Sequence, residues 1–299
     1  MNDEVKFRWN GEKLTIDRLD DWVSDLSKKA KPGTAAFANA VQVFIVVHFL
    51  GERWYYNHAY LESPPTSFLH PHFGEDGLAP VYSMRMLNLA EMLLNLQGVE
   101  GFQTCLDHMT LDQLESALSE LQIGMMLYQD RIEFRYIDPQ TVRGKSPDIE
   151  ITLATGDAAL ADIKCKYENT DVSEETVTNT LKSARKQLPS GKPGMIFVKV
   201  PQEWTFEAGE VVMLPMPMVN ATRGFLRNTT RVVKIIYYTF HLSRNLDGGI
   251  LNRHAIREVN NPRNPDDSPW NYHLFPPAHD GFNWITFPSL TVRWAQSFG

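Results

Sequence analysis

The chain has 299 residues, 43% of them hydrophobic and 22% charged, which suits a globular protein and argues against a disordered or fibrous one. Its two cysteines, Cys105 and Cys165, support neither a disulfide framework nor a zinc knuckle, so a reducing, cytoplasmic setting is expected. Net charge is -7, yet residues 220–260 hold seven basic and two acidic side chains, so a polyanionic partner is not excluded.

The N-terminus is charged and lacks the apolar run of a secretory signal. Residues 41–50 are the most apolar stretch, too short for a membrane span, so no membrane partner is expected. Residues 1–105 predict a mainly helical region, with a short acidic helix over 20–26 and the breaker Lys31-Pro32-Gly33 after it. Long apolar helices are expected over 35–54 and 82–96. The loop between them holds His70, His72, Glu75 and Asp76, a metal-like grouping that lacks a third His and reads better as a loop.

Residues 106–299 predict an α/β domain, with a core over 110–200 and a C-terminal extension over 201–299. Thr110 and Gln113 have capping-box spacing, and Leu114, Leu118, Leu121 and Met125 continue at helical intervals. Strands are expected over 131–137, 147–153 and 159–166, the last two joined by the turn Thr155-Gly156-Asp157. Ser173 followed by Glu174 and Glu175 starts a helix whose apolar face is Val177, Leu181, Ala184 and Leu188. A strand over 195–200, a helix near 222–230, a strand over 232–240 and a Pro-rich tail complete the reading.

Alternation on a strand sends Asp162 and Lys164 to one side, with Ile163 and Cys165 expected to face the core. Asp148 begins the preceding strand after Pro147, and a hairpin sets it beside Asp162. Two neighbouring carboxylates repel unless a cation lies between them, and hard oxygen donors suit Mg²⁺ or Mn²⁺. Such an ion activates water and neutralises charge on a phosphate, with Lys164 positioned to assist.

Pro147-Asp148 followed by Asp162-Ile163-Lys164 resembles the PD-(D/E)xK motif of restriction-endonuclease-like nucleases, and the helix–three strands–helix–strand order is similar to that superfamily's core. The resemblance covers roughly residues 110–200. It implies an αβββαβ fold with a mixed central sheet flanked by helices, and metal-dependent endonucleolytic hydrolysis of DNA, with RNA less favoured. It further implies that Glu120 (with Glu115 second) joins the metal site, that the Ile163 carbonyl is a ligand, and that Lys182, Arg185, Lys186 and Gln187 face the site. Cutting both strands of a duplex favours a homodimer.

Arg223, Arg227 and Arg231 recur at helical spacing in the acid-poor segment and could grip phosphates, whereas Lys234 falls in the following strand. Against the enzyme stands a second reading, a catalytically inactive nuclease fold used as a binding or assembly module. In it Asp148 ends a turn, Asp162 pairs with Lys164 or Lys166, Glu150 is another carboxylate in reach, and the basic residues are solvated helix faces.

Overall fold

The computed structural model describes residues 9–60, 69, 79–109, 114–138, 146–167, 170–208, 211–244, 250–275 and 284–298. The chain forms two compact units. The first comprises Met1–Gly98, Cys105–Leu121 and Asn283–Gly299, and the second Val99–Thr104 with Gln122–Phe282. No single cut after residue 105 reproduces this division, because the C-terminal segment returns to the first unit.

The first unit is helical. Thr15 caps α1 (Ile16–Ser27) and Thr34 caps α2 (Ala35–Leu50), each hydroxyl accepting a first-turn N–H. The apolar run over 35–54 is not one helix. It breaks at Gly51, whose φ of +86° suits glycine, and α3 (Glu52–His58) leaves at 115°. Among the described residues no single helix is long and apolar enough to cross a membrane. Next come α4 (Ala79–Leu96), α5 (Phe102–Met109), which the sequence did not announce, and α6 (Leu114–Gln129), whose two halves belong to different units. The expected capping box at Thr110 and Gln113 lies outside the described residues.

The strands and remaining helices of the second unit are β1 (Glu133–Tyr136), β2 (Ile149–Thr152), β3 (Ala158–Cys165), α7 (Glu174–Gln187), β4 (Gly194–Lys199), β5 (Phe206–Ala208), β6 (Val211–Met213), α8 (Met216–Leu226), β7 (Val232–Arg244) and β8 (Ile250–Asn260). A six-stranded mixed sheet runs in the order β1-β2-β3-β4-β7-β8, with β5 and β6 forming a separate pair. Pairing is antiparallel across β1–β2–β3, parallel across β3–β4–β7, and antiparallel again to β8.

The parallel centre is covered on both faces, as its unbroken burial along β4 requires. On one face Val177, Leu181 and Ala184 of α7 and Met218 and Phe225 of α8 pack with Leu160, Ile196, Val198, Ile235 and Tyr237. On the other lie Met195, Phe197, Ile236 and Tyr238, all buried, together with Lys234. The Lys234 Nζ donates to Glu258 Oε2 and to the Tyr272 carbonyl, both at 2.5 Å. Glu258 also accepts the N–H groups of Leu274 and Phe275 at 3.0 and 2.8 Å, so this pair pins the chain after β8 against the sheet.

The Pro-rich tail, for which no helix was expected, ends in α9 (Phe287–Phe298), which belongs to the first unit. Asn95 Oδ1 accepts Ile285 N–H at 2.7 Å, and Glu91 accepts Phe287 N–H at 2.7 Å and Trp284 Nε1–H at 3.1 Å. Burial raises the Glu91 pKa above the ordinary 4.5, opposed by these two hydrogen bonds. The folded state therefore favours the protonated acid, and this contribution to stability is fullest below the unfolded pKa and lost as pH rises through the raised folded value. Thermal melts from about pH 4 to about pH 7 should show the wild-type advantage over Glu91→Gln, which cannot ionise, shrinking as pH rises; an advantage that grows with pH contradicts the assignment.

Candidate functional site

The β2–β3 register ends with Ile149 opposite Ala161, and Asp148, one residue before β2, lies alongside the Ala161–Ile163 stretch of β3. Alternation along β3 puts Asp162 and Lys164 on the face of Leu160. Asp148 is held by its backbone on both sides: its N–H donates to the Ala161 carbonyl and its carbonyl accepts from Ile137 N–H, each at 2.9 Å. Its side chain then folds toward β3, where Oδ2 accepts the Ile163 N–H at 2.6 Å. The β2–β3 ladder ends here because Pro147 has no N–H to continue it. The Asp148 carboxylate takes up a β3 donor at the point where backbone partners stop.

Asp162 lies beside Ile196 of β4 and Lys164 beside Val198, within the layer covered by α7. The expectation that Ile163 alone of this pair faces a core is corrected: Asp162 is 1% exposed and Ile163 5% exposed. A strand with neighbours on both sides and helices against the sheet has no solvent face. Lys164 compensates the buried carboxylate, its Nζ lying 2.7 Å from Asp162 Oδ2 while its own side chain stays 28% exposed. Lys164 is thus an ion-pair partner of Asp162, while burial pushes the pKa of the Lys166 ammonium below its ordinary 10.5.

Glu150 is committed elsewhere. Arg135 donates to its Oε2 through Nε at 3.0 Å and Nη2 at 2.6 Å, and Lys192 Nζ lies 3.6 Å from Oε1. These cations hold its carboxyl below the usual range, the Arg135 hydrogen bond being the largest cause. Glu120 belongs to the first unit, where it accepts from Cys105 Sγ at 3.5 Å and meets His108 Nδ1 at 3.1 Å. A buried Cys and a His in the preceding helix could not be read from α6 periodicity. His70, His72, Glu75 and Asp76 lie outside the described residues.

Among the basic candidates of α7, Lys182 and Lys186 are exposed, and Arg185 stacks its guanidinium 5.5 Å from the Phe225 ring centroid. Gln187 is joined to the segment leading into β2, its Oε1 accepting Ser146 N–H at 3.4 Å. Arg223 and Arg227 are exposed on or just after α8. Arg231 is structural in part: its Nη1 donates to the carbonyls of Arg185 and Leu188 at 3.3 and 3.1 Å, closing the C-terminus of α7. Lys192, missed in the sequence reading, sits in a Gly-Lys-Pro turn that carries no periodic signal.

Could the aspartates hold a divalent cation? Among the described residues no three His, Cys, Asp or Glu side chains gather where they could share one. The donor set at β2–β3 is two carboxylates with the Ile163 carbonyl close by in sequence. That set fits Mg²⁺, which binds through one or two carboxylates and otherwise keeps water. It does not fit an ion that demands a full protein cage.

No family model matches the chain, and no curated protein or solved structure matches it at a significant level.

Asp148→Ala removes the acceptor of Ile163 N–H and should lower stability in urea by about 1–3 kcal/mol, the cost of an unpaired buried donor. Asp148→Asn keeps an oxygen and should recover most of the loss. Equal stability of the alanine variant and wild type would show that the carboxylate has no part in ending the ladder.

Proposed function

We propose that this chain is a divalent-cation-dependent phosphodiesterase that hydrolyses DNA, built on a restriction-endonuclease-like core. The observation that carries this reading is Asp148 hydrogen-bonded to the Ala161 carbonyl and the Ile163 N–H, on either side of Asp162, with the Lys164 ammonium 2.7 Å from Asp162 Oδ2. The order α6, β1, β2, β3, α7, β4, with β3 and β4 parallel, supports it, since the motif resembles that superfamily and this is the order the resemblance implies.

Asp148, Asp162 and the Ile163 carbonyl would hold the cation. When bound, Mg²⁺ or Mn²⁺ supplies Lewis acidity and positive charge beside the phosphate. Hydrolysis requires a water oxygen to bond to phosphorus while one ester oxygen departs, taking up a proton. The Lys164 ammonium, partly exposed at the end of the buried pair, can donate to that water or to a non-bridging phosphate oxygen as charge builds there. Gln187, through Ser146, steadies the approach to Pro147 and Asp148.

A second reading, a nuclease-like fold that binds without turnover, is favoured by a specific observation. Asp162 is buried against its own lysine and Asp148 is engaged by a backbone N–H, so both acids have structural partners.

Incubation of the protein with plasmid and single-stranded DNA in Mg²⁺, Mn²⁺ or EDTA separates the two, with RNA as a further substrate. The hydrolytic reading expects cleavage that EDTA abolishes and that Asp162→Asn and Lys164→Ala reduce by about 10²-fold or more, while thermal melts show both variants folded. Binding without cleavage in every metal would replace it with the module.

A further inference from the structure

An open cleft of about 780 Å³ lies where β4 and β7 begin, walled by the end of α7, the 189–193 turn and residues 228–231. Four cations line it, Arg185, Lys186, Lys192 and Arg231, and among the described residues no Asp or Glu does. Thr230 is exposed in its lining, while Thr229 is buried there and its Oγ1 accepts Arg231 N–H at 3.2 Å. The charge is arranged in two tiers. Arg185 is fixed over Phe225, and Arg231 is fixed on the α7 carbonyls, where it offsets the negative end of the helix dipole. Lys186 and Lys192 project from this wall, the first exposed and the second with a side chain 58% exposed, its Nζ 3.6 Å from Oε1 of Glu150, a carboxylate that also takes up Arg135.

Like charges converging without an acid in the cleft raise its potential and favour an anion. A single small anion would leave most of so open a trough empty, whereas a chain of phosphates would follow it. Lys192 also lines a second, smaller cleft of about 400 Å³ with Pro147, Glu150 and Leu160. Pro147 directly precedes Asp148, and Leu160 stands two residues before Asp162 on the same face of β3. Leu160 N–H donates to the Pro193 carbonyl at 3.0 Å, which ties the wall of the basic cleft to the strand bearing the acid. Two residues of strand span about 6.6 Å, about the axial rise of two nucleotides.

We infer that the cleft between the 189–193 turn and residues 228–231 seats the sugar–phosphate backbone of a nucleic-acid strand, with Lys186 and Lys192 on its phosphates. Binding in the cleft stands on these observations alone. That the bound strand is led past Lys192 toward Asp148 and Asp162 rests on the hydrolytic reading above.

The test is binding of a fluorescein-labelled DNA oligonucleotide to the full chain in EDTA, followed by anisotropy across a salt series. Lys186→Glu with Lys192→Glu should weaken binding at least about tenfold and lower the slope of log K against log salt by about two, one per lost phosphate contact. Lys28→Glu with Lys29→Glu, the same charge change on exposed positions of the first unit, should stay within about twofold. The milder pair Lys186→Gln with Lys192→Gln should fall between, and guards against misfolding of the glutamate variant. No DNA binding by wild type, or equal losses in the cleft and control variants, overturns the inference. Cleavage by wild type with KM unaltered in the cleft variants would overturn it while leaving the hydrolytic reading standing. Binding lost in those variants, with no cleavage by wild type in any metal, would leave the cleft standing and remove the hydrolytic reading.

Discussion

Asp162 is a carboxylate set into the covered face of a central strand, and much of the site follows from that placement. Removing such a group from water costs several kcal/mol unless opposite charge or hydrogen bonds compensate. β3 supplies the compensation from its own chain, because alternation puts Lys164 on the same face two residues on, at 2.7 Å. Leu160 before it and Ile196 and Val198 beside it are apolar, so the polar part of this face begins abruptly at Asp162. It opens outward through Lys164. An acid-x-Lys triplet at this spot can therefore be a self-neutralising pair or one half of a cation site. Which of the two it is depends on the neighbouring segment, and Asp148, just before β2, brings a second carboxylate to the Ile163 N–H beside it.

β1 to β4 and β7 were legible because each carries a local signal, whereas β5, β6 and β8 were not expected. Gly156 marked the β2–β3 turn, Ser173 with its two glutamates marked the start of α7, and the continuous apolar run of β4 marked a buried strand. What was missed depends on contacts between residues far apart in the chain. The apolar run through Gly51 hides a break that only its backbone dihedral reveals. α9 is held by Glu91 and Asn95, some 190 residues earlier. Asp148 and Asp162 were readable because hairpin register is a short-range property, whereas the surroundings of Glu120 come from α5, a helix with no strong periodic mark.

The seven basic residues counted between 220 and 260 illustrate how a charge tally differs from a charged surface. Lys234 is 1% exposed and neutralised by Glu258, and Arg231 directs one nitrogen into the end of α7. Helical spacing of Arg223, Arg227 and Arg231 suggested one stripe, but α8 ends at Leu226, so Arg231 does not continue it. Positive charge is instead concentrated where chain segments meet: the end of α7, the turn before β4 and the turn before β7. None of these lies on a periodic element, and a pattern search along the sequence passes over them.

The parallel arrangement of β3, β4 and β7 explains why such a meeting place exists. Strands that run the same way begin at the same end of the sheet, and the connections entering β4 and β7 must both arrive there. α7 returns antiparallel to its strands and brings its C-terminal carbonyls to that end, a negative field that would repel phosphate if left alone. Arg231 answers it through the Arg185 and Leu188 carbonyls, leaving Lys186 near the end of α7 and Lys192 of the adjoining turn to set the sign of the cleft. Because Leu160 is hydrogen-bonded to Pro193, the separation between this end and Asp162 is fixed by two residues of β3 rather than by a loop. A backbone seated in the cleft would thus meet the carboxylates at a distance set by the sheet itself.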